Sequence, residues 1–84
     1  MIFTARIRVM PKPGVLDPQG HAVLQSLETM GFAGLDDVRL GKHIEMVLER
    51  PTRDHAAADI DTMCQKLLAN PVIESYDFDI EPLT

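Results

Sequence analysis

Residues 12–20 read KPGVLDPQG and join a predicted strand to a predicted helix. Pro13 and Gly14 predict a turn, because proline presets φ and glycine accepts a positive φ at the next position. Asp17 and Pro18 predict a helix start, with the Asp17 carboxylate as cap and proline at a position where no N–H is needed. The stretch is typical either of a structural strand-to-helix connection or of a binding loop on a rigid scaffold.

The segments on both sides of this loop have clear periodicity. Residues 2–10 alternate between apolar and polar side chains, which predicts a half-buried strand. Residues 18–30 have apolar side chains at helical spacing and predict the first helix. A second helix is predicted from a cap at Thr52 or Asp54 to about residue 69, and its apolar stripe is Ala56, Ile60, Met63 and Leu67. A last strand is predicted over residues 72–81, with an apolar face formed by Val72, Tyr76, Phe78 and Ile80. In the loop of residues 12–20, Val15 and Leu16 are expected to pack beneath the loop.

Residues 38–49 read VRLGKHIEMVLE, and five even-numbered positions are apolar: Val38, Leu40, Ile44, Met46 and Leu48. A two-residue hairpin turn at residues 41–42 would place Leu40 on the same face as His43 and not Ile44. The pattern therefore predicts either a three-residue turn or one long strand over residues 38–49. Such a strand is longer than a single small sheet needs, and is expected if part of it pairs with a second subunit.

This order of elements predicts one domain over residues 1–84, of the two-layer α+β, ferredoxin-like βαββαβ type. In that topology the first and last strands are neighbours. Arg6 and Arg8 are then expected opposite Asp77 and Asp79 on a polar face of the sheet. A chain of 84 residues has a thin stability margin, for which oligomerisation is a common remedy.

Composition excludes several classes of protein. The net charge of −5 and the lack of a basic patch argue against nucleic-acid and membrane-surface binding. The single cysteine, Cys64, suits a reducing compartment, and no stretch approaches the ~20 apolar residues of a membrane span. A cytoplasmic location is expected.

No catalytic or metal-binding motif is present in the sequence. His21, His43 and His55 have no metal-ligand spacing among themselves or with Cys64, which is expected to be a buried, inert thiol. The alternating carboxylates of the last strand are typical of a solvated face. We therefore predict a module that binds, bridges or regulates and that has no active site, cofactor site or metal site of its own.

Three segments together resemble the PurS family, the small subunit of phosphoribosylformylglycinamidine synthase: KPGVLDPQG at 12–20, DVRLGKHIE at 37–45 and CQKLLANPVIE at 64–74. The resemblance covers nearly the whole chain and departs from the family pattern at residues 51–61. It implies a strand-exchanged dimer or a tetramer. It also implies a non-catalytic subunit that bridges a glutaminase and an ATP-dependent synthetase and assists ammonia transfer. ATP and Mg would be used by the synthetase partner.

An alternative is an ACT-type regulatory domain that binds amino acids at subunit interfaces. The P-G-V-L loop between the first strand and first helix fits it, as does the βαββαβ order. Asp17-Pro18 and the segment NPVIE at 70–74 argue against this alternative.

Partner contacts are expected in three segments. The loop after the first strand is the first candidate, and the basic, glycine-containing stretch of the long strand is the second. The turn after the second helix is the third, with helix capping as its alternative role. The predicted contact residues are Lys12, Pro13, Gly14, Val15, Leu16, Arg39, Gly41, Lys42, Asn70 and Pro71.

Overall fold

A computed structural model describes residues 1–83, in which a three-stranded antiparallel sheet has strand order β2-β1-β3. The second helix continues directly into a short π-helix. The elements, in chain order, are β1 Ile2–Pro11, α1 Pro18–Thr29, β2 Lys42–Glu49, α2 Arg53–Met63, the π-helix Cys64–Leu68 and β3 Glu74–Pro82.

The core lies between one face of the sheet and α2. Strand β1 is the central strand, and its four alternating apolar side chains are buried, as the period-two pattern predicts. Phe3 and Ile7 are at most 1% exposed, and burying side chains of this size contributes about 1.5–3 kcal/mol each. The buried hydrophobic residues that form the core are Phe3, Ala5, Ile7, Val9, Leu48, Ala56, Ile60, Cys64, Ala69 and Ile80.

The opposite, polar face of the sheet carries the predicted cross-strand ion pairs. Arg8 Nε lies 2.6 Å from Asp77 Oδ1, and Arg8 Nη1 lies 3.3 Å from Asp79 Oδ2. Arg6 Nη1 lies 3.4 Å from carboxylate oxygens of both Asp79 and Glu81. The sequence prediction for this face is confirmed, and the arginines of β1 are neutralised there by β3.

Strand β2 is shorter than the strand predicted over residues 38–49. The alternation holds within β2, where Leu48 is buried and its odd-numbered neighbours are exposed, and there is no hairpin. Pairing with β1 begins only at Lys42, however, opposite Val9. Within residues 1–83, the β1–β2 ladder ends at the Val9–Lys42 pair, so residues 38–41 pair with no strand. The strand start predicted at residue 38 is therefore wrong for this chain by itself.

The π-helix changes which side chains at the end of the second helix face the core. The Ala69 N–H donates to the Cys64 carbonyl at 3.0 Å, a bond that spans five residues and inserts one extra residue into the turn. This shifts the phase of the stripe, so Ala69 is buried and Leu67 is 82% exposed. The predicted stripe placed Leu67 on the buried face, which is wrong for this reason.

Helix α1 does not pack extensively on the sheet. Gly20 is its one buried residue, and its apolar side chains Val23, Leu24 and Leu27 are half-buried. The radius of gyration is 16.5 Å, against about 12 Å for a compact domain of this length. The longest dimension is 51 Å, so the chain is elongated, with α1 set apart from the core.

Candidate partner-binding site

Lys12, Lys42 and the turn after the π-helix come together at one end of the molecule. The Lys12 N–H donates to the Ile73 carbonyl at 2.8 Å, and Lys12 Nζ donates to the Pro71 carbonyl at 2.6 Å. Lys42 Nζ donates to the Leu68 carbonyl at 3.1 Å. We call this region, formed by Lys12, Lys42 and residues 66–74, the convergent end. It brings together parts of all three segments that the sequence singled out.

Asn70 organises the turn within the convergent end. Its carbonyl accepts the N–H groups of Ile73 and Glu74 at 3.1 and 2.7 Å. Its side-chain oxygen accepts the Val72 N–H at 3.1 Å, and its own N–H donates to Glu74 Oε1 at 2.7 Å. Asn70 therefore has a structural role in the turn itself, and none of these bonds caps the preceding helix as the alternative role predicted. These bonds hold the backbone of residues 70–74 in one conformation, so β3 begins at Glu74 and not at the predicted residue 72.

The lysine side chains complete the hydrogen bonding at the end of the π-helix. The last carbonyls of a helix have no partner within it, and lysines near that end satisfy them. Lys42 does this for Leu68 from β2, while Lys12 reaches Pro71 from the end of β1. Each ammonium group has three donors and uses one of them in these bonds. Both lysines therefore keep donor capacity toward a further ligand.

Asp17 has a larger role than the predicted helix cap. Its Oδ1 accepts the Gly20 N–H at 3.0 Å, and its Oδ2 accepts the Leu40 N–H at 2.8 Å. These two bonds, with the Gly20 bond as the larger cause, lower the pKa of the Asp17 carboxyl below its usual value. A side chain on Gly20 would collide with the Val38 carbonyl oxygen. Asp17 and Gly20 thus attach residues 38–40 closely to the start of α1.

Five of the six remaining candidate residues border a groove of about 630 Å³: Pro13, Gly14, Val15, Leu16 and Arg39. It lies between the loop of residues 12–17, the start of α1 and residues 37–39. Leu16 is 82% exposed, so the expectation that it packs beneath the loop is wrong, whereas Val15 is half-buried. Gly14 has the positive φ of 83° that the predicted turn requires. Gly41 lies outside this groove and packs closely against the Val9 carbonyl.

Several titratable side chains form pairs that stabilise helices and strands. Tyr76 donates to Asp61 Oδ1 at 2.6 Å, and this bond raises the pKa of the Tyr76 phenol. Cys64 is fully buried, as predicted, and this burial raises the pKa of its thiol and keeps it in the less reactive protonated form. Across residues 1–83, no three His, Cys, Asp or Glu side chains are grouped so that they could hold a metal ion.

Neither helix described in residues 1–83 has the length and apolar content that crossing a bilayer requires.

Sequence reasoning missed a contact at the start of α1, the exposure of two apolar side chains at the convergent end and the π-helical turn. The bond from Leu40 to Asp17 joins residues that are 23 apart in the chain, and no periodicity indicates such a contact. The exposure of Leu67 and Val72 was also missed, because both were placed on apolar faces of regular elements. The sequence from Cys64 to Leu68 has ordinary helical composition, so nothing in it signals the π-helical turn.

Comparisons with known proteins all point to one family, PurS. The family model PurS, described as phosphoribosylformylglycinamidine (FGAM) synthase, matches residues 4–82. A relative from Synechocystis sp., named phosphoribosylformylglycinamidine synthase subunit PurS, is 48% identical over 81 residues, covering 96% of this chain and 81% of that protein. The corresponding protein from Bacillus subtilis is 41% identical, covering 95% of this chain and 94% of that protein.

Solved structures give the same result. The chain is similar to Bacillus subtilis PurS, with a TM-score of 0.85, 41% identity and coverage of 95% of this chain and 99% of that one. It is also similar to a chain in the structure of PurLQS from Thermotoga maritima, with a TM-score of 0.86, 30% identity and coverage of 96% and 99%. These neighbours confirm the ferredoxin-like α+β fold class, and the matches do not support the ACT-type alternative.

Proposed function

This chain belongs to the PurS family of phosphoribosylformylglycinamidine synthase subunits, which act in purine biosynthesis, and from this we propose that it is the non-catalytic bridging subunit of that complex. In this role it joins a glutaminase subunit to an ATP-dependent synthetase subunit. The structure of PurLQS from Thermotoga maritima, which contains a chain of the same fold, supports an assembly of this kind.

The convergent end is the observation that carries the bridging role. Three segments far apart in sequence meet there through Lys12 and Lys42, and the backbone is fixed by hydrogen bonds on both sides of Asn70. A surface fixed in this way binds without first having to become ordered, which lowers the cost of association. The ten residues predicted to contact partners lie on this end, on the adjoining groove or on the stretch of chain between them.

The chemistry of the complex belongs to its larger subunits. The glutaminase releases ammonia from glutamine, and the synthetase uses that ammonia, with ATP and Mg²⁺, to convert formylglycinamide ribonucleotide to the amidine. The bridging subunit binds neither cofactor and holds the two active sites in a fixed relation, so that ammonia passes between them. We also propose that it acts in the cytoplasm and binds neither nucleic acid nor membranes, in keeping with its net charge of −5.

We further propose that the subunit self-associates as a strand-exchanged dimer, from which a tetramer can be built. Residues 38–41 directly precede β2 and pair with no strand in the described part of this chain. Helix α1 leaves its apolar side chains half-buried and does not cover the sheet. A second copy that pairs with residues 38–41 and packs on α1 supplies what both elements lack.

Reconstitution of the enzyme from separate subunits tests the bridging role. Glutamine-dependent formation of the amidine should require this subunit, whereas synthesis supported by added ammonium chloride should proceed with the synthetase alone. Ammonium-supported synthesis bypasses the glutaminase, so it controls for an inactive synthetase. Full glutamine-dependent activity in the absence of this subunit would contradict the proposal. Light scattering at micromolar concentration tests self-association, and a monomer would contradict the dimer.

A further inference from the structure

Three apolar side chains at the convergent end are exposed although their backbone is held firmly. Leu67 is 82% exposed, Val72 is 78% exposed and Ile73 is 43% exposed. The Val72 N–H donates to the Asn70 side chain, and the Ile73 carbonyl accepts from Lys12. A loop that is merely irregular would leave these backbone groups to water. Apolar side chains exposed on a turn that is held by several hydrogen bonds are instead typical of an interaction site.

Three lysines belong to the same end of the molecule as these apolar side chains. Lys66 precedes Leu67 in the π-helix and is exposed, while Lys12 and Lys42 lie against the turn through their bonds to the Pro71 and Leu68 carbonyls. Within residues 1–83, none of these three lysines has a carboxylate oxygen within 4.0 Å.

Three of the five arginines are paired with carboxylates, whereas Arg39 and Arg53 have no carboxylate oxygen within 4.0 Å in residues 1–83. Arg6, Arg8 and Arg50 each lie within 3.4 Å of a carboxylate oxygen. Glu74, the carboxylate bonded within the turn, accepts the Asn70 N–H instead of a lysine. On a chain with a net charge of −5, the lysines of the convergent end are therefore an unneutralised group of positive charges.

Building on the bridging role proposed above, we infer that a partner subunit docks an acidic, apolar segment on this surface. We call the surface, formed by Lys12, Lys42, Lys66, Leu67, Val72 and Ile73, the lysine–apolar patch. The apolar side chains of the docking segment cover Leu67 and Val72. Its carboxylates accept the ammonium protons that Lys12 and Lys42 do not use on the turn, and they also face Lys66.

Charge complementarity identifies the occupant as a segment that carries carboxylates. A basic segment would bring like charges together at three lysines and would have to leave them unpaired on binding, which is costly. The dimer proposed above places the second copy of this chain elsewhere, because residues 38–41 have no strand partner within residues 1–83 and the apolar side chains of α1 remain half-buried. A hydrophobic centre with charged groups at its rim also has the usual anatomy of a specific protein interface.

The test is the affinity of the intact dimer for the glutaminase and synthetase subunits, measured by biolayer interferometry. The paired substitution Leu67→Ser/Val72→Ser should weaken binding to the partner subunit that docks on the patch by roughly 30-fold or more. A loss of this size is expected when a hot-spot residue of an interface is removed. Lys66→Glu should weaken binding by about 5-fold, and the loss should shrink in high salt because rim charges act through screened electrostatics. Lys66 is chosen because Lys12 and Lys42 also support the turn itself.

Val47→Ser is the matched control, because Val47 is 63% exposed but lies on the polar face of the sheet. The affinity of this variant should be within twofold of that of the wild type. Circular dichroism and light scattering follow folding and dimer mass for every variant. Unchanged affinity of the paired variant would overturn the patch. Loss of the dimer would also overturn it, since a second copy would then be the occupant. Failure of the wild-type dimer to bind either subunit would refute the bridging role itself, which separates the two proposals.

Discussion

The two helices have similar lengths and similar caps, but only one of them packs on its own sheet. Helix α1 has 12 residues and a cap at Asp17, and α2 has 11 residues and a cap at Thr52. Ala56 and Ile60 of α2 are fully buried against the sheet, whereas Gly20 is the one buried residue of α1. Amphipathic periodicity therefore identifies a helix without specifying which surface, or which copy of the chain, its apolar face will cover.

This difference separates two sources of stability. The packing of α2 depends on apolar burial within the chain, so it should survive dilution. The position of α1 depends on the hydrogen bonds of Asp17 and on the close approach of Gly20 to residues 38–40. The apolar side of α1 gains its remaining burial from a second copy in the dimer that we propose. Substitutions in the two helices should therefore fail in different ways.

The largest effect is expected from Ile60→Ala in α2. Ile60 is fully buried, and removing a side chain of this size from a core costs about 2–5 kcal/mol. We expect this loss in the free energy of unfolding by urea denaturation, at every protein concentration. Leu27→Ala in α1 is the matched variant, and its effect on the free energy of unfolding should shrink as the protein is diluted toward monomer, because it acts on the dimer. The contrast between the helices would fail if Leu27→Ala were as destabilising as Ile60→Ala and independent of concentration.

A smaller effect is expected from Gly20→Ala. The added Cβ would collide with the Val38 carbonyl oxygen, which is backbone and cannot rotate away. Overpacking of this kind costs about 1–3 kcal/mol, although alanine is otherwise the better helix former. Urea denaturation should therefore show destabilisation. Ala22→Ser, on the exposed side of the same helix, should leave stability nearly unchanged. A stabilised Gly20→Ala variant would mean that residues 38–40 are not held against α1.

The core and the polar face of the sheet could be predicted because period-two patterns are local. The alternation around Phe3 fixes which side of β1 is buried, and the same parity places Arg8 opposite Asp77 once the first and last strands are neighbours. The convergent end could be predicted only in part. Lys12 was singled out, but its bond to Pro71 depends on a turn that no periodic pattern specifies.

The π-helix limits sequence prediction most clearly. Helical spacing places Leu67 on the stripe that includes Ile60, and only the inserted residue of the π-turn moves it to the surface. The energetic difference between an α-turn and a π-turn depends on the surroundings, including the Lys42 side chain that satisfies the Leu68 carbonyl. This information is tertiary, so it is absent from the local pattern.

The smallest expected effect is on the pH dependence of stability, and it involves one carboxylate from each helix. Asp17 has a lowered pKa because of the Gly20 and Leu40 N–H groups, and Asp59 in α2 has a lowered pKa because of its bond to Arg50. A carboxyl with a lowered pKa in the folded state stabilises the protein above its unfolded pKa of about 3.9. That contribution is lost as the pH falls through the folded pKa. The stability gap between wild type and either Asp→Asn variant should therefore be constant near neutral pH and should narrow below about pH 4.

Hydrogen exchange at single amides distinguishes these two carboxylates. In Asp17→Asn the side-chain oxygen can still cap Gly20, but the amide nitrogen that replaces the second oxygen cannot accept the Leu40 N–H. The Leu40 amide should therefore exchange faster in Asp17→Asn, while the α1 amides remain protected. In Asp59→Asn the Leu40 amide should exchange as in the wild type, because Asp59 bonds to Arg50 and has no contact with residues 38–40. Equal exchange at Leu40 in both variants would show that Asp17 only caps the helix, and α1 would then owe its position to packing alone.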